Sequence, residues 1–230
     1  KIRKCFSAFS VSLQTLIDAN YFDVALGADD TIFYWRAFFA RGGNFDGVPY
    51  YIPYSADAVE GKTVRDSHKS LYKQLLRWSW GAIDFPLSVK NFMKRADIKF
   101  TTKIKWLNRH IKERVVLTNT VFLITFGFLI VTLVNPYVKQ SNFAYSLPKI
   151  MSFILTLTMV FIVPGIYFRK KFSSPPPKDW SRFRKILTYF EAPLITINLL
   201  TYSFFPTLHA QTMMVLGKRF KDLYHTPKVR

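Results

Sequence analysis

Apolar and polar positions along this chain follow two regimes. Up to about residue 114 they alternate or recur at helical spacing; beyond it come long runs with no charge. The alternating stretch "FSAFSVSL" (6–13) predicts a strand or strand edge, and "LQTLIDANYFD" (13–23) a helix running into a turn. "ADDTIFYWRAFFARGG" (28–43) predicts a helix, with Asp29 and Asp30 near its start, where carboxylates favour the helix dipole, and Gly42-Gly43 closing it. "VPYYIPY" (48–54) predicts a short strand, confined to a sheet edge by Pro49 and Pro53. Helix, glycine and strand in this order predict an α/β segment too short for a complete doubly wound sheet. The first half of such a domain is expected to be absent, in keeping with a start at Lys1 rather than at methionine. The predicted fold class is α/β plus an α-helical membrane region.

Residues 60–114 interleave Leu71, Leu75, Trp78, Ile83, Phe85, Leu87, Phe92 and Met93 with lysine and arginine. This predicts two amphipathic helices, broken near Asp84-Phe85-Pro86 and lying in a membrane interface. Then the charge stops. "VVLTNTVFLITFGFLIVTLV" (115–134) has no ionisable side chain, and "IMSFILTLTMVFIVPGIYF" (150–168) is a second uncharged run. Twenty residues at about 1.5 Å rise cover a hydrocarbon core of roughly 30 Å, so each predicts a transmembrane helix. A third apolar segment, 186–208, holds Glu191, Asn198, Pro193 and Pro206 and reads as bent or re-entrant rather than as a full span. The loop after the first run has two lysines, whereas "RKKFSSPPPKDWSRFRK" after the second has seven Lys/Arg. The positive-inside rule then places 60–114 and the second loop in the cytoplasm.

The net charge of +19, from 33 Lys+Arg against 14 Asp+Glu, draws anions: acidic lipid headgroups, phosphorylated substrates or nucleic acid. No nucleic-acid recognition module is visible, and a nucleic-acid binder needs neither apolar run. The single Cys5 excludes an internal disulfide, and the four histidines lack metal-ligand spacing.

Two groupings carry candidate chemistry. Asp29 and Asp30 at a helix start serve as cap and dipole partner, or as a general base facing a cleft. Gln74, Arg77 and Trp78, in "KQLLRW", share a helix face, since residues three and four apart are neighbours. An amide, a rigid guanidinium fork and a flat indole suit a sugar and a phosphate; they also suit an ordinary interfacial helix with tryptophan at headgroup level.

The order "ADD…RAFFARGG…VPYYIPYSADAVEG…KQLLRWSWG", followed by apolar runs, resembles the membrane-bound family 2 glycosyltransferases, which include cellulose and hyaluronan synthases. The resemblance covers the later part of that family. It implies the C-terminal part of a GT-A-type catalytic domain over 1–59, interfacial helices over 60–114, a transmembrane region over 115–209 and a basic cytoplasmic tail over 210–230. It makes Asp30 the counterpart of the family's catalytic base, with Asp29 beside it; Ala28 and Asp29 depart from the usual Thr/Ser-Glu. Gln74, Arg77 and Trp78 match the Gln-x-x-Arg-Trp motif that lines the acceptor and diphosphate site. Thr226 and Lys228 match two positions of a gating loop. The implied partners are a nucleotide sugar donor, a saccharide or lipid-linked acceptor and membrane lipids, with no nucleic acid. The implied cofactor is Mg²⁺ or Mn²⁺, with ligands expected in the missing N-terminal half, since the chain has no Asp-x-Asp. The competing class is a non-catalytic, basic, membrane-anchored scaffold for anionic lipids or partner proteins. A transporter subunit is disfavoured, because neither uncharged run carries an ionisable residue to mark a pathway.

Overall fold

The computed structural model describes residues 9–23, 29–52, 59–172, 175–190 and 194–218. They form helices α1 (Leu13–Asp18), α2 (Asp29–Ala40), α3 (Val64–Ser79), α4 (Asp84–Lys94), α5 (Phe100–His110), α6 (Leu117–Val134), α7 (Asn142–Val160), α8 (Ile162–Phe172), α9 (Arg182–Phe190), α10 (Ile195–Asn198) and α11 (Phe204–Val215). They fall into two compact units, one from residues 1–116 and 205–230, the other from 117–204.

The first unit is built on α2. Helix α2 is apolar on every side: Ile32, Phe33, Tyr34, Trp35, Ala37, Phe38 and Phe39 are all buried. A helix apolar all round must be enclosed by others. Trp35 meets Trp106 of α5 edge to face at 4.7 Å and Phe92 of α4 at 5.8 Å, while Phe39 meets Phe92 at 5.2 Å. Such tilted ring pairs add to the area they bury. Phe9 and Phe22 close the opposite side of α2 over Phe33, at 5.7 Å and 4.9 Å. Gly42 and Gly43 stop the helix at φ +58° and +84°, a left-handed conformation that glycine adopts without steric cost.

The α/β, GT-A-type expectation fails here: among the described residues there is no strand. Residues 9–12 form no ladder, and Ser12 instead caps α1, its side chain accepting from the Thr15 N–H. Of "VPYYIPY", residues 48–52 are irregular and Val48, Tyr50 and Tyr51 are about four-fifths exposed or more. Alternation supplies a face but no partner, and prolines at positions 49 and 53 withhold two ladder donors. Residues 53–54 lie outside the described residues.

Helix α3 starts at a cap made by Thr63, which accepts from the Asp66 N–H at 3.1 Å and donates its hydroxyl to the Asp66 carboxylate at 2.7 Å. Just ahead, Gly61 passes so close that a Cβ there would lie 2.7 Å from the Ser67 nitrogen. The break after α3 comes earlier than the sequence suggests. A tight 3₁₀ turn, Trp80–Ile83, ends α3, and Asp84-Phe85-Pro86 opens α4, where the missing proline N–H costs nothing. The basic stretch then holds a third helix, α5, followed by a π turn at Ile111–Val116.

Two helical runs, Phe100–Val134 and Asn142–Phe172, are long and apolar enough to cross a membrane. Their most apolar windows are 6% and 0% buried, so the side chains face outward, as lipid contact requires and water does not favour. Hydroxyls inside them bond their own helix: Thr125 donates to Val121 O at 2.8 Å and Thr156 to Ser152 O at 2.9 Å. The third apolar segment is not one straight helix: four-residue α10 runs into a π turn at Leu199–Ser203 and then α11.

Candidate functional site

The Gln-Leu-Leu-Arg-Trp sequence lies on α3, a helix with one apolar and one basic face. Tyr72 and Ser79, seven apart, meet α11: the Tyr72 hydroxyl lies 3.2 Å from His209 Nδ1, and the Ser79 and Thr207 hydroxyls are 3.1 Å apart. At about 100° per residue, Gln74, Arg77 and Trp78 lie on the opposite face, away from α11. Gln74 and Arg77 are half-buried and Trp78 is 58% exposed. Among the described residues no carboxylate pairs with the Arg77 guanidinium. The structure thus brings the trio together as one surface of amide, cation and indole.

Asp30 sits in the first turn of α2, half-buried. Its Oδ1 accepts the Thr31 N–H at 2.7 Å and the Thr31 hydroxyl at 3.3 Å. Asp29 is the first residue of the same helix. The helix start lies beside the end of α3: a Cβ on Gly81, three residues after Trp78, would stand 3.9 Å from Thr31 Oγ1. Thr226 and Lys228 lie outside the described residues. Among the described residues no group of three or more His, Cys, Asp or Glu side chains could hold a metal ion. Mg²⁺ or Mn²⁺ finds no fit there.

Sequence reasoning missed a second constellation. Asp84, at the start of α4, is fully buried, and its Oδ2 accepts from Arg114 Nη2 at 3.1 Å. His110, 1% exposed, brings Nδ1 to 3.9 Å from Asp84 Oδ1 and Nε2 to 3.0 Å from Ser88 Oγ. Ser88 spends its single hydrogen on Phe85 O at 2.9 Å, which makes His110 Nε2 the donor towards it. Hydroxyl, imidazole and carboxylate stand in the order of a hydrolytic triad, yet Ser88 is fully buried and its hydroxyl is committed. The grouping is a polar network inside the helix assembly, not a nucleophile. Its signal in the sequence was a pair of i, i+4 spacings, Asp84/Ser88 and His110/Arg114, each putting two polar groups on one helix face.

No protein-family model, no curated protein and no solved structure matches this chain.

Proposed function

We propose that the intact protein is a glycosyltransferase, moving a sugar from a nucleotide diphosphate donor to an acceptor hydroxyl at the cytoplasmic face of a membrane. The observation that carries this reading is the Gln74–Arg77–Trp78 face, on a helix followed by a 3₁₀ turn whose Gly81 lies against Thr31, the residue after Asp30. Asp30 takes the proton of the acceptor hydroxyl, whose oxygen then attacks the anomeric carbon. The bond from that carbon to the diphosphate oxygen breaks, and the charge left on the diphosphate meets the Arg77 fork. Trp78 offers its exposed indole to the acceptor ring, and Gln74 hydrogen-bonds it. Two helices able to cross a membrane and the charge of +19 support a site at an anionic lipid boundary.

The test is transfer from radiolabelled UDP-glucose, UDP-N-acetylglucosamine and GDP-mannose by the intact protein in membrane vesicles. Asp30→Asn is expected to abolish transfer, a loss of about 100-fold or more for removal of a general base, with membrane insertion unchanged. Full activity in Asp30→Asn removes Asp30 from the mechanism.

A second reading, the lipid-binding scaffold, has its own support. Phe85, Pro86, Val89 and Met93 form an apolar stripe along one side of α4, edged by Lys90 and Lys94. No transfer with any donor, together with vesicle binding that rises with anionic lipid content, favours that reading.

A further inference from the structure

The 3₁₀ turn Trp80–Ile83 joins α3 to α4 and carries Gly81, the residue that lies against Thr31. Trp80, Gly81 and Ala82 are buried, and no side chain caps the turn at its start. Gly81 itself has no side chain with which to lock the turn in place. A guanidinium ties the turn to α4: Arg114 Nη2 donates to Gly81 O at 3.3 Å and to Asp84 Oδ2 at 3.1 Å. Arg114 is fixed in turn. Gln211 Nε2 donates to its carbonyl at 3.4 Å, and Asp84, against which its head rests, faces the His110–Ser88 pair. Burying a carboxylate and a guanidinium adds little net stability over apolar groups of the same size, whereas it fixes geometry.

We propose that Arg114, held by Asp84, is a positioning residue that sets the spacing between the start of α2, with Asp30, and the Gln74–Arg77–Trp78 face of α3. The catalytic part rests on the transfer reading; the spacing itself can be measured without it. Arg114 touches no substrate. Both bonds come from one nitrogen of a rigid, planar guanidinium, whereas a lysine ammonium sits on a flexible stem.

Arg114→Met and Arg114→Lys are made in the intact protein, and spacing and turnover are read in separate preparations. Spacing is read by disulfide formation in a Cys5→Ser, Thr31→Cys, Gly81→Cys background, since a Cβ at position 81 would stand 3.9 Å from Oγ1 at position 31. Turnover is read with UDP-glucose, UDP-N-acetylglucosamine and GDP-mannose. Arg114→Met is expected to slow disulfide formation about tenfold and to lower kcat about 100-fold with KM for the nucleotide sugar little changed, the signature of a misplaced site. Arg114→Lys falls between Arg114→Met and wild type in both. If Arg114→Met does not fold, slower disulfide formation in Arg114→Lys than in wild type supports the proposal and equal rates overturn it. Equal rates in all forms overturn it, as does an unchanged kcat in Arg114→Met when wild type turns over a donor. Graded disulfide rates with no transfer by wild type leave Arg114 in its positioning role and remove the transfer reading instead.

Discussion

Arg95 holds the corner where α4 gives way to α5. Its Nε and Nη2 grip the two oxygens of Asp97, each at 2.8 Å, and Nη2 also donates to Phe39 O at 2.8 Å, tying the corner to the end of α2. The hydrogen bond from Arg95 holds the Asp97 carboxyl below its ordinary value against the opposing effect of desolvation, with lesser help from a backbone hydrogen bond and the charges of Arg95 and Lys103. Because the folded value is the lower one, the pair's contribution is present above the ordinary carboxylate value and lost as pH falls through the lowered one. Wild type is therefore expected to melt above Asp97→Asn near pH 7, with the gap closing as pH falls below the ordinary carboxylate value of about 4; a gap that stays constant into acid removes the pair from the stability of this corner. Single residues were unevenly legible in the sequence. Asp29 and Asp30 at a helix start and Gly42-Gly43 at its end follow from local chemistry and stand where that chemistry put them. Asp84 and Arg114 are 30 positions apart, and what joins them is packing between helices, to which neighbouring residues give no clue.

Among the elements, α2 bears the load of the first unit. Seven buried side chains between Ile32 and Phe39 leave only Arg36 on that stretch partly reached by water, where it bonds Asn20 O at 2.8 Å. Trp106 of α5, fully buried, packs on Trp35, Tyr34 and Phe38 together. Trp106→Ala is expected to cost about 3–5 kcal/mol, read by denaturant unfolding in detergent followed through the remaining tryptophans. A loss under about 1 kcal/mol, ordinary for a surface substitution, contradicts this account of the core. The helical character of "TIFYWRAFF" was readable, but the burial of its seven apolar side chains was not, because apolar residues on every side of a helix do not say what covers them. The strands went wrong for a related reason. "VPYYI" has the composition of a strand, yet a strand exists only with a neighbour to bond, and composition names none.

For the whole molecule, charge and apolarity act on the same boundary. A basic protein can be drawn to a bilayer by charge alone, and salt then releases it. Two helices long enough to span predict otherwise: 1 M salt and alkaline carbonate are expected to leave the protein in the membrane pellet, and detergent to release it. Release by carbonate makes the apolar helices something other than spans. These runs were the most legible part of the chain, since an uncharged stretch of that length needs no partner to be recognised. The proposed site was legible only as pieces: Gln74, Arg77 and Trp78 follow from helical spacing, whereas the approach of Gly81 to Thr31 comes from tertiary packing. The enclosure of α2 also bears on how the chain is made. Trp106 emerges from the ribosome roughly 70 residues after Trp35, about 4 to 14 seconds later at common synthesis rates. Through that interval a nascent aromatic segment waits without its cover, the condition in which exposed apolar surface is prone to aggregate.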